Sequence, residues 1–272
     1  MRLKMPNLVK EYSVFEADQY SEAGKYRNLM PQLRDAGLRP LNTADIMRER
    51  LEALRNKDLN LRAFWVDSGF DTVDGIAHSY GKIKVAYDPK QLVNIKPNVD
   101  LNNGALIITP DEYKNLEGEE FSLRGLRGLG KRLHKYEVTN HPFWLALARG
   151  DKHFLREYSD AVFEELIKIR SDNRKGMSVN LRGFVQQQPS MQALSVYSVN
   201  RRRSDADSSS LDSDARLVGV HSRTAEGEGN AQNLVRMYTL QEVERAREAL
   251  KKLKRVAKTE LVEPLEVLVE QD

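Results

Sequence analysis

The sequence predicts an α+β fold: a mostly antiparallel sheet with several packed helices, an irregular N-terminal extension and a C-terminal helix. Three observations carry this. Apolar residues recur at helical spacing in residues 42–58, 151–170 and 239–258. Short β-branched or aromatic runs, bounded by Gly and Pro, gather between 61 and 109 and again between 177 and 222. Helices and strands come in groups, without the strict alternation of a parallel βαβ sheet.

Residues 1–40 read as an extension with a short helix at 31–37, Pro31 near its start and Gly37 at its end. In 42–58, Thr43 is the expected cap, and Ile46, Met47, Leu51 and Leu54 form one apolar stripe. Strands are expected at 61–67, 72–79 and 82–87, the last two joined by a tight hairpin at Tyr80-Gly81, and a buried strand at 104–109. Thr109 and Pro110 open a short helix that Gly118 stops. Residues 141–150 form a compact apolar helix, with the Phe143–Trp144 pair expected in the core, as is Phe64–Trp65. Asp151 caps a long amphipathic helix over 151–170, where Phe154, Tyr158, Val162 and Leu166 fall four apart. Strands follow at 177–185, 191–199 and 215–222, then a loop at 223–233 and a helix at 239–258 with a Thr239–Glu242 capping box. The expected organisation is an extension (1–40), a single α+β domain (41–258) and an acidic tail (259–272).

Composition narrows the chemistry. There is no cysteine among 272 residues, which excludes disulfides, thiolate nucleophiles and sulfur-ligated zinc. The 43 basic and 40 acidic residues leave a net charge of +3, so any electrostatic function must come from local clusters. No apolar run is long enough to span a bilayer, and the first residues hold no signal-peptide core; the expectation is a soluble, cytoplasmic protein with no membrane partner. No residue pattern asks for a cofactor or a metal.

The most suggestive stretch is 121–136, "FSLRGLRGLGKRLHKY", with Arg124, Arg127, Lys131, Arg132 and Lys135 and no acid. Gly125, Gly130 and Lys131 have the spacing of a nucleotide-binding P-loop, but Arg132 stands where a magnesium-binding Ser or Thr is needed. "LRGLGKRL" resembles in outline the hairpin of helix-hairpin-helix DNA-binding motifs. The resemblance implies that Gly128 and Gly130 expose backbone N–H groups to a phosphate while basic side chains gather around it. Arg124, Arg127, Gly128, Gly130, Lys131, Arg132 and Lys135 are therefore the expected nucleic-acid contacts, sequence-independent and salt-sensitive.

Residues 200–214, "NRRRSDADSSSLDSD", are expected to be a mobile polar loop between two strands. Asp205, Asp207 and Ser209 alternate as in a calcium loop, but Ser210 and Arg216 occupy the positions of the required Gly and Glu. None of the five histidines forms a metal-ligating pair. Three functions stay open: nucleic-acid binding, which leads; a hydrolase or transferase with His134, His141 and Arg201–Arg203 around one cleft; and a protein-interaction or homo-oligomeric module using a sheet edge or the C-terminal segment.

Overall fold

The structure is a computed structural model that describes residues 2–4, 11–15, 24–56, 58–126, 129–169, 176–181, 188–199 and 204–221. The expected C-terminal helix and acidic tail lie outside these residues. The chain divides into two compact units, one of Met1–Ser13 with Arg223–Asp272 and one of Val14–Ser222. At the N-terminus, β1 (Arg2–Lys4) runs antiparallel to β2 (Glu11–Phe15), Arg2 opposite Ser13.

The larger unit is α+β, as its sequence predicts, with an almost wholly antiparallel main sheet. Its centre is β4 (Phe70–Ser79) paired with β10 (Ser190–Val196). Beyond β4 lie β5 (Lys82–Ala86) and then β8 (Gly118–Ser122) at the edge. On the other flank, β10 meets β7 (Ala105–Ile107) through Ser190 and Met191, and β6 (Leu101–Asn102) follows. From Ala193 to Val196 the same flank of β10 meets β11 (Ser204–Ser209). One parallel pair interrupts the pattern, β11 with β9 (Met177–Asn180). Separately, β12 (Leu217–His221) pairs antiparallel with β3 (Leu38–Pro40).

Every residue of β4 is buried, because both sheet faces are covered. On one face, Val73 and Ala77 of β4 and Met191 and Ala193 of β10 share a core with Tyr26, Leu29, Met30 and Leu33 of α1 (Tyr26–Asp35). On the other, Thr72 and Asp74 meet the start of α2 (Thr43–Arg55): the Thr43 N–H donates to Asp74 at 2.9 Å. Burial pushes the Asp74 carboxyl up, opposed by the Arg149 guanidinium that donates to it at 2.6 Å. Arg149 also donates to Asp88 at 3.1 Å and lies 3.8 Å over the Tyr87 ring. Asp71 is likewise buried and pushed up, its carboxylate accepting from Ser195 and from the Arg216 N–H.

Several expected elements hold. The 80–81 hairpin turn has positive φ at both Tyr80 (46°) and Gly81 (80°), the geometry of a two-residue hairpin loop. Thr109 caps α5 (Pro110–Asn115) in a full capping box, and Asp151 accepts from the Phe154 N–H at the start of α8 (Lys152–Ile169). Trp65, Phe143 and Trp144 are core residues. α1 is longer than expected and takes Pro31 into its interior, and Asn42, not Thr43, caps α2.

Two expectations fail. Residues 61–67 are not a strand: Leu59–Trp65 form α3, whose first N–H groups are satisfied by the Asp58 side chain. The end of α3 is then fixed by Arg50, fully buried, which donates to Trp65 O, Ser68 O and Val196 O at 2.8–2.9 Å. Nor is 200–214 a loop throughout. Residues 204–209 are β11, laid between β10 and β9, with Ala206 buried and Asp205 accepting from Ser178 at 2.5 Å. The Ser178–Asp205 bond to β9 and backbone pairing on both sides let a sequence almost without apolar residues join a sheet. Arg201–Arg203 lie outside the described residues.

Candidate nucleic-acid interface

The segment after β8 turns at once. Gly125 and Leu126 both donate backbone N–H to Ser122 O, at 2.9 and 3.1 Å. Buried Leu126 and Leu133 anchor the segment, and Leu133 exchanges two backbone hydrogen bonds with Met177, at 2.8 and 3.2 Å. Gly130 sits at φ 70° and donates its N–H to Val179 O at 2.8 Å. That bond uses the Gly130 donor within the fold, so the phosphate-facing N–H implied by the helix-hairpin-helix resemblance is not offered there. Arg127 and Gly128 lie outside the described residues. The P-loop alternative also loses its setting: β8 is an exposed edge strand antiparallel to β5, not a buried parallel strand feeding a helix.

The helix after this segment is α6 (Lys135–Asn140), followed directly by α7 (Pro142–Leu147). Between the turn and these helices lies an open cleft of about 480 Å³, within the size range of ligand sites. Gly125, Lys131, Arg132, Glu137, Asn140 and His141 line it. The cations expected from the sequence are thus partly brought together. Lys131 and Arg132 are in the wall, and exposed Arg124 stands beside Gly125 at the rim. Neither Arg124 nor Lys131 forms an ion pair among the described residues. Lys135 faces elsewhere, to Asp160 at 2.9 Å. The acid in the wall, Glu137, is turned to the backbone and accepts the His134 N–H at 2.7 Å.

The two histidines stand at opposite ends of α6, His134 before it and His141 after it. Seven residues of helical rise put their backbones about 10 Å apart. His141 is buried in the cleft wall, while His134 is exposed. His141, expected beside a cleft with His134 and Arg201–Arg203, is in this wall, whereas Glu137 and Asn140 enter the site with no signal in the sequence but their nearness to the glycine-basic segment.

Among the described residues no group of three or more His, Asp or Glu is placed to hold a metal ion, and no helix is long and apolar enough to cross a membrane. No family model and no curated protein matches the chain. A solved structure that represents the accommodation of massive sequence variation in Nanoarchaeota by the C-type lectin fold is similar to it, with a TM-score of 0.57 and 12% identity. The alignment covers 80% of this chain and 100% of that one. At this identity the likeness is one of fold.

Proposed function

We propose that this protein binds nucleic acid through the phosphate backbone, without sequence preference, and that the cleft bordered by Arg124, Lys131 and Arg132 is the contact. The observation that supports it is local. Arg124 and Lys131, which form no ion pair among the described residues, stand at the edge and in the wall of a cleft whose one acid is engaged by a backbone N–H. A scaffold similar to the C-type lectin fold does not choose a ligand, so the chemistry must come from this chain's own side chains. Asn140 adds a polar group to the wall beside these cations. A cysteine-free chain is compatible with a cytoplasmic setting.

With about three phosphate contacts, affinity should fall between 50 and 200 mM salt on the order of 40-fold for a duplex and 20-fold for a single strand. The test is fluorescence anisotropy of labelled oligonucleotides across that range. Binding that weakens steeply supports the proposal; no binding at the lowest salt, or binding indifferent to salt, removes it.

A further inference from the structure

Five large apolar side chains are about half or more exposed among the described residues: Leu59, Tyr80, Tyr136, Ile167 and Tyr197. Two of them, Tyr80 and Tyr136, stand on elements that adjoin the basic cleft, the β4–β5 hairpin and α6, without themselves lining it. Tyr80 is at the tip of the β4–β5 hairpin and is 72% exposed. The next residue, Gly81, accepts the Leu123 N–H at 3.0 Å, which sets the hairpin tip against the turn carrying Arg124 and Gly125. Tyr136 is 81% exposed on α6, next to cleft residue Glu137. Its carbonyl accepts from cleft residue Asn140 at 2.9 Å, one turn further along the helix that forms that wall.

The backbone at Tyr80 is itself informative. Its φ of 46° is in the left-handed region. Asn, Asp or Gly are favoured there in a hairpin turn, and an aromatic residue is strained. Fold stability therefore does not explain a tyrosine at this tip, and its ring is not buried in the core. An exposed aromatic held in strained backbone beside a cationic cleft fits a surface used for stacking.

We infer that the interface takes single-stranded nucleic acid, with bases stacked on Tyr80 and Tyr136 and the intervening phosphates at Arg124, Lys131 and Arg132. This rests on the phosphate-binding reading of the cleft. A duplex keeps its bases stacked inside and can use only the cations. A single strand can use the rings as well, whatever its sequence, because every base has a flat π-face.

The experiment uses the full chain and anisotropy with a labelled oligothymidylate and a duplex of equal length. The variants are Tyr80→Ala, Tyr136→Ala, Tyr136→Phe and Lys131→Ala. The expected result is tighter binding of the single strand, weakened at least about fivefold by either Tyr→Ala change and retained by Tyr136→Phe. Duplex binding should be unmoved by the tyrosine variants and weakened by Lys131→Ala. Equal affinity for both forms, with the tyrosine variants silent and Lys131→Ala still weakening both, overturns the stacking inference and leaves the phosphate reading standing. No binding of either form at low salt overturns both.

Discussion

Arg50 lies fully buried and ties three separate stretches together, so its replacement is the sharpest test of how the core is held. Arg50→Met keeps much of the aliphatic length and removes the guanidinium. Three carbonyls, Trp65 O, Ser68 O and Val196 O, then lose a donor at 2.8–2.9 Å. Each buried acceptor left without a partner costs about 1–3 kcal/mol. Removing a buried cation returns some of its desolvation cost, and the contact 5.9 Å over the Phe70 ring is also lost. The net expectation is a destabilisation of about 2–4 kcal/mol. For a unit the size of Val14–Ser222 that corresponds to a fall in Tm of roughly 5–15 °C. Equilibrium urea denaturation and a thermal scan would both read it. Arg55→Met is the control: Arg55 is 58% exposed and pairs with Glu157 on the surface. It should cost less than about 1 kcal/mol. An Arg50→Met protein as stable as wild type would refute the role assigned to this side chain.

Further outcomes follow from the same geometry. Gly118 sits at φ 142°, and a Cβ there would lie 1.9 Å from Val85 O; Gly118→Ala should disrupt the β5–β8 pairing and cost at least about 2 kcal/mol, read by denaturation. Tyr80→Asn should relieve backbone strain and raise Tm slightly, while weakening single-strand binding, a separation that a merely structural tyrosine would not give. Burial pushes Glu165 up, but the Arg62 hydrogen bond at 2.5 Å and the Lys168 charge outweigh it and leave its carboxyl below the usual range. A folded-state pKa below the unfolded one makes the group stabilising above pH ~4.5, and that stability is lost as pH falls through the lower folded value. Arg62→Gln should therefore flatten the acid limb of stability against pH, and an unchanged limb would count against the pair.

Much of the fold was legible where local chemistry decides it. Tyr80-Gly81 specified a hairpin, Thr109-Pro110 a helix start and Asp151 a cap, because each acts on its immediate neighbours. The failures have a common cause in distant partners. "LRAFWVD" has the composition of a strand, but Asp58 starts a helix there and Arg50 fixes its end. The strand at 204–209 is hidden because Asp and Ser suggest a loop. Its pairing rests on β10, the strand just before it in the chain, and on Ser178 of β9, 27 residues away. Arg149 and Asp74 are 75 residues apart, and nothing local announces their pair. The candidate interface was half legible. Clustered cations and glycines marked 121–136, but the Gly130–Val179 bond, the cleft wall from α6 and α7, and the flanking tyrosines needed the tertiary structure.

Phosphate contact by the cations at the 124–132 cleft is read by the slope of log K against log salt. That slope should be taken for wild type and for Arg124→Ala/Lys131→Ala after confirming that the variant's Tm is unchanged. The predicted slope for wild type is about −2.7 on a duplex and about −2 on a single strand, shrinking by about 0.7–0.9 for each removed cation. A folded double variant with the same slope and affinity as wild type would contradict the account and place any nucleic-acid contact elsewhere on the protein.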